Sequence, residues 1–126
     1  MTRRILFVTN RPKQWEEFTS RLQHHPEAAF SFATTFAEAG DRMKVERYGI
    51  GDLIILDETI DERSAIDAAK EIVMSNVWVS LALVSALDEE AFHEAAEGLG
   101  ILCRIPPGAS AADADRLMGA LAAISR

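Results

Sequence analysis

Three observations predict an α/β fold with a parallel sheet covered by helices on both faces. Apolar runs and amphipathic stretches alternate five times along the 126 residues. One run, Leu53 to Leu56, is apolar at every position, as a strand buried on both faces must be. No Pro/Gly/Ser-rich linker or low-complexity segment divides the chain. Ile5 to Val8 is the first strand. Trp15, Phe18 and Leu22 then recur at helical spacing as core positions until Pro26 stops the pattern. Phe30 to Ala33 is a weaker second strand, and Thr35 with Glu38 three residues on reads as a capping box opening a helix toward Tyr48, with Gly40 inside it. Leu53 to Leu56 delivers Asp57 at its carboxyl end. Ile66, Ala69, Ile72 and Val73 stripe a helix from about Ser64 to Ser75. Val77 to Val84 is the fourth strand, ending at Ser85. Leu87, Asp88 and Phe92 suggest a stapled, N-capped helix ending near Gly98 or Gly100. Ile101 to Ile105 is the fifth strand, and Leu117, Met118, Leu121 and Ile124 mark the closing helix.

Right-handed crossovers leave few ways to join five such units, and the flavodoxin-like strand order 2-1-3-4-5, a three-layer (βα)5 sandwich, suits them best. That order sets the ends of the first and third strands side by side at a switch point, where ligands usually bind. Thr9, Asn10, Asp57, Ser85 and the residues around Pro106 are expected to converge there.

Composition narrows the function. With 48% hydrophobic and 26% charged residues, residues 1–126 are expected to form one domain, with no output domain. A net charge of −7 and a pI near 4.9 oppose binding to a nucleic-acid backbone or an anionic bilayer. The single Cys103 forms no internal disulfide and reads as a small core residue, and the four-residue apolar run after Arg4 is too short for a signal peptide or membrane span. A cytoplasmic location is expected. Glu89, His93 and Glu97 share a helical face, where alternating charge reads as solvated pairs more readily than as zinc ligands.

The chain resembles the receiver domain of bacterial response regulators over essentially its whole length. Asp52-Leu-Ile-Ile-Leu-Asp57 is similar to the third strand with its phosphoacceptor aspartate, Leu83-Val-Ser85-Ala86 to the fourth strand with its hydroxyl residue, and Glu94-Ala-Ala-Glu-Gly-Leu-Gly-Ile101 to the approach to strand five. The resemblance implies a Mg²⁺ site made by an acid pair after strand one together with Asp57, and a lysine before the proline that ends strand five. Here Thr9 and Asn10 stand at the acid positions and Ile105 at the lysine, while Arg104, one place off, points the other way. Leu102 occupies the aromatic switch position, and the usual proline and glycine after the acceptor are missing from Asp61 and Ala65.

Mg²⁺ prefers carboxylates and water, so Thr9 and Asn10 leave a degenerate site. The expected function is that of a stand-alone pseudo-receiver: a protein-interaction module in signal transduction, not an enzyme, without cofactor. Its pocket would hold Thr9, Asn10, Glu58, Thr59, Ser85 and Ile105 around Asp57, the candidate phosphoacceptor. One alternative keeps phosphorylation on Asp57, with Mg²⁺ in a shell rebuilt from Glu58, Asp61 or Glu62. A second is a small flavodoxin-like ligand-binding domain or enzyme. The resemblance also implies a signalling partner, or a second copy, docked on the face of helix four, strand five and helix five. Leu102, Leu117 and Ala120 are the expected contacts there, small residues such as Ala114, Gly119 and Ala123 allow close approach, and rim carboxylates favour a basic partner.

Overall fold

The structure, a computed structural model, describes residues 2–124. A five-stranded parallel sheet is built from β1 (Arg3–Val8), β2 (Ala28–Ala33), β3 (Leu53–Leu56), β6 (Ser80–Val84) and β7 (Cys103–Ile105), in the order β2-β1-β3-β6-β7. Two further strands, β4 (Thr59–Ile60) and β5 (Arg63–Ser64), form a separate antiparallel hairpin. With that hairpin set aside, the order is the expected 2-1-3-4-5. Five helices cover the sheet: α1 (Glu16–Leu22), preceded by a 3₁₀ turn over Pro12–Trp15, α2 (Phe36–Val45), α3 (Ala65–Ser75), α4 (Glu89–Ala95) and α5 (Ala111–Ile124).

The central strands are apolar throughout because both of their faces are covered. Leu6 and Val8, Ile54 and Leu56, and Leu81 and Leu83 join the layer under α2, α3 and α4. Ile5 and Phe7, Leu53 and Ile55, and Ala82 and Val84 join the layer under α1 and α5. In that second layer Phe7 meets Trp15 at 5.1 Å and Phe18 at 5.8 Å, edge to face, so the two helical aromatics are core as expected. Arg21 and His25 both reach Asp115 at 2.9 Å and tie α1 to α5, and together they pull its carboxyl down to about 2.

Local chemistry sets each boundary. Thr35 caps α2 by accepting from the Glu38 amide at 3.1 Å, but the Glu38 carboxylate returns to the Thr34 amide at 3.0 Å, shifting the expected box by one residue. The helix stops at Val45, short of Tyr48. Arg47 takes a left-handed φ of 53°, and the Tyr48 amide donates back to the Met43 carbonyl at 3.1 Å. Ser64 and Asp88 cap α3 and α4 as their positions suggest, although Leu87, the expected staple residue, stays 42% exposed. The fourth main-sheet strand begins at Ser80, not at Val77. Asn76 accepts from the Trp78 and Val79 amides at 3.0 and 3.2 Å, and that turn takes those residues out of the ladder. The last strand is likewise shorter than the apolar run, starting at Cys103.

Leu117 does not belong to an interaction face. Its side chain is fully buried in the layer shared by α1, α5 and the sheet, because the apolar stripe of α5 turns inward there with Ala114, Met118 and Leu121. Leu117→Ala is therefore expected to cost about 2–5 kcal/mol of unfolding free energy in urea denaturation, as for a large-to-small change in a packed core.

Candidate functional site

Strand register decides what meets at the carboxyl edge of the sheet. Val8 of β1 lies opposite Leu56 of β3, so the next residues, Thr9 and Asp57, emerge side by side. Both follow the pleat toward the α1/α5 layer. Both are buried, each at 1% exposure. A bare carboxylate in that position would carry a large desolvation cost.

The charge is met by Arg11. Its guanidinium lies side-on to Asp57, with Nη2 2.7 Å from Oδ1 and Nε 3.3 Å from Oδ2. The Thr9 hydroxyl donates to Oδ2 at 2.5 Å and accepts the Arg11 amide at 2.9 Å. The Glu58 amide donates to Oδ1 at 2.7 Å. Burial alone would push the Asp57 carboxyl up, but Arg11, then Thr9 and the Glu58 amide, outweigh it and hold the group below the usual carboxylate range. The chain reaches this arrangement because Pro12 opens the 3₁₀ turn immediately after Arg11 and sends the backbone back over the sheet edge.

The other expected pocket residues divide. Asn10 is exposed and lines a shallow surface cleft with Arg11, Glu58, Thr59, Asp61 and Glu62, and Thr59 sits in β4 facing solvent. Ser85 has no hydrogen bond to Asp57. Its hydroxyl accepts from the Leu87 amide at 3.1 Å and starts the turn before α4. Ile105 is not a pocket residue: its side chain is fully buried in the α1/α5 core layer, on the same side as Val84, its neighbour in register. Arg104 turns to the opposite layer as its alternation requires, donating to the Ser85 carbonyl at 3.1 Å and to Glu89 at 3.3 Å. The cavity beside Asp57, bordered by Gln14, Trp15, Pro106 and Pro107, holds only about 80 Å³.

A magnesium ion does not fit these residues. Each Asp57 oxygen already accepts two hydrogen bonds, the Arg11 guanidinium is paired with the carboxylate, and of the expected alternative ligands Asp61 is engaged elsewhere. Asp61 accepts from the Phe36 amide at 2.9 Å and so closes the first turn of α2. Arg63 lies over the Phe36 ring at 4.8 Å and pairs with Glu71. Together these contacts fix the β4–β5 hairpin, in which Asp61 and Glu62 form the tight turn at φ 50° and 68°. Among the described residues no group of three His, Cys, Asp or Glu side chains could hold a metal.

Arg11 and the hairpin are the parts that sequence reasoning missed. The signal for Arg11 was present: a cation two residues past the strand end, directly before a proline. The hairpin lacked the Asn-Gly or Asp-Gly pair that normally announces such a turn.

The expected interaction face is an open cleft of about 700 Å³ between α4 and the β7–α5 edge. Leu102, Cys103, Arg104, Arg116, His93 and Glu94 are among its lining residues. Ala120 is half-buried in α5 and, like Leu117, does not line it.

Arg11→Gln is expected to destabilise the protein by about 1–3 kcal/mol at pH 7, measured by urea unfolding. That is less than the 3–5 of a fully buried pair, because the Arg11 side chain keeps 45% of its surface in water. The depressed Asp57 pKa contributes stability that is complete above the unfolded value of about 3.9 and fades as pH falls through the folded one. The gap between parent and variant should therefore shrink when the same unfolding is repeated near pH 3. An unchanged gap there would mean that Arg11 acts through packing and not through the carboxylate.

No family model and no curated protein matches the chain. Solved structures do. A LuxR-family two-component response regulator from Aurantimonas superposes with a TM-score of 0.78 at 20% identity, covering 100% of this chain and 89% of that one. The receiver domain of the response regulator NarL from Mycobacterium tuberculosis gives 0.73 at 16% identity over 96% and 97%, and the chemotaxis regulator CheY4 of Vibrio cholerae gives 0.74 at 11% over 96% and 99%. Strand order, helix placement and these superpositions agree: the chain has the fold of a response-regulator receiver domain, CheY-like and flavodoxin-like in topology.

Proposed function

We propose that this chain is a degenerate receiver, a protein-interaction module in signal transduction whose state is not set by magnesium-dependent phosphorylation. The single observation that carries the reading is the Arg11–Asp57 pair. An acyl phosphate on Asp57 would have to form from a carboxylate oxygen that is buried and already accepts two hydrogen bonds. Phosphoryl transfer rests on positioning and on neutralising charge at the transferring group. Here the one cation at the carboxylate is committed to the ground state. The position corresponding to the family's lysine is Ile105, fully buried among apolar side chains. The cavity that Asp57 itself borders holds about 80 Å³, against the roughly 300 Å³ or more of usual ligand pockets, and the larger cleft of about 400 Å³ beside Asn10 does not include the carboxylate, which weighs against small-molecule chemistry on Asp57.

Output then passes through surface contacts. The cleft between α4 and α5 is the proposed docking face for a signalling partner, or for a second copy of the chain. Arg104 and Arg116 are already engaged by Glu89 and Asp113, while Glu94 and Glu97 remain at the rim for a basic partner. The deciding experiment incubates the protein with acetyl phosphate and Mg²⁺ and reads intact mass. The expected result is no adduct. A hydroxylamine-labile phosphoryl adduct that disappears in Asp57→Asn would overturn the proposal and restore Asp57 as an acceptor. Self-association through the cleft would show as a dimer in sedimentation equilibrium that Glu94→Lys weakens or abolishes.

A further inference from the structure

Opposite Asp57, at the end of the sheet where the main parallel strands begin, the surface changes character. Seven large hydrophobic side chains stay exposed among the described residues, and six of them, Val45, Ile50, Met74, Val77, Trp78 and Ile124, stand at or beside this pole. Val45, Met74 and Ile124 end α2, α3 and α5, and Ile50, Val77 and Trp78 lie in the loops entering β3 and β6. Scattered exposed apolar residues are ordinary, but a concentration at one end of a molecule is the mark of a contact surface. The loops are held in place: Asn76 donates to the Tyr48 carbonyl at 3.0 Å and, through its other side-chain atom, shapes the Trp78 turn.

A groove of about 310 Å³ opens here between α2 and the end of α3, lined by Gly40, Met43, Lys44, Arg47, Ser75 and Asn76. Its two cations are exposed and have no ion-pair partner among the described residues. Two of the neighbouring carboxylates are already matched, Glu46 with Arg42 at 3.0 Å and Asp52 with Arg4 at 2.7 Å, which leaves the exposed Asp41, one turn earlier in α2, against the two cations. In a chain of net charge −7 this pole is therefore locally apolar and basic. The carbonyl ends of α2 and α3 also face it, but each is worth only about half a charge, against a full charge on each of Lys44 and Arg47.

We infer that this pole docks an acidic amphipathic segment of a partner protein, one apolar side chain entering the groove and carboxylates meeting Lys44 and Arg47. Three features favour that occupant. A recessed groove accepts a side chain where a bilayer would need a protruding surface. A planar anionic bilayer would also bring charge under the whole acidic molecule. A second copy docked pole to pole would bring two basic surfaces together. The site lies at the other end of the sheet from Asp57 and shares no residue with it.

The test is selection of displayed random 16-residue peptides on the full chain, with affinities measured for parent, Trp78→Ser, Lys44→Glu/Arg47→Glu, and Lys13→Glu as a charge-reversal control remote from the pole. Enriched peptides should combine apolar residues at helical spacing with carboxylates. They should bind about tenfold or more weakly to Trp78→Ser and to the double charge reversal, and unchanged to Lys13→Glu. Thermal unfolding of each variant confirms that the exposed substitutions leave the fold intact. The inference is overturned by enriched peptides that are basic or that bind Trp78→Ser as well as the parent. It is equally overturned if no peptide depends on Trp78 while phosphatidylserine vesicles shift Trp78 fluorescence, or if sedimentation shows the chain itself associating through Trp78.

Discussion

A carboxylate at the end of a strand covered on both faces must find its counter-charge within a few ångströms or give up its proton. Asp57 is in that position, and the whole carboxyl pole follows from how the constraint is met. Arg11 must lie beside the β1 exit, so the chain turns at Pro12. Thr9 must turn its hydroxyl to the same carboxylate, and the Glu58 amide completes the shell. The opposite pole repeats the solution. Asp52, just before β3, is held by Arg4 of β1 through Nε at 3.2 Å and Nη2 at 2.7 Å, and accepts the Gly49 amide at 2.9 Å. The β1–β3 pair is thus clamped at both ends by an arginine from one strand region and an aspartate from the other. Each clamp fixes the register that a slip by one residue would destroy.

The two clamps differ in what surrounds them. At the Asp57 end the nearby space is small and polar, and the acidic side chain that could have reached inward, Asp61, is engaged at the start of α2. At the Asp52 end the Arg4 guanidinium also lies 4.5 Å over the Tyr48 ring and donates to the Glu46 and Arg47 carbonyls, closing the end of α2 from outside. That second clamp satisfies Asp52, Arg42 takes the Glu46 carboxylate, and Lys44 and Arg47 are left to solvent. The basic character of this pole is a by-product of how its carboxylates are satisfied.

The fold was legible because its signals were redundant. Leu53 to Leu56 announces a doubly covered strand by composition alone, and Ser64, Thr35 and Asp88 mark helix starts by capping chemistry that acts within a few residues. Boundaries failed where a side chain overruled an apolar run, as Asn76 does ahead of Trp78. The site was legible in its members Asp57 and Thr9, whose convergence follows from strand order. Arg11 was not, because sequence comparison with a metal site directs attention to lost ligands and away from a gained cation. Leu117 and Ile105 were misplaced for a related reason: aligned position says which residue stands where a known one does, whereas the pleat and the helical stripe decide which way it points.

A guanidinium keeps its proton throughout the range of cellular pH, and being covalently part of the chain it can be neither chelated nor diluted away. The counter-charge of Asp57 is therefore in place whenever the chain is folded, and acidification dissolves the pair only when the carboxylate itself begins to protonate. It is written into the sequence at synthesis and does not have to be acquired afterwards.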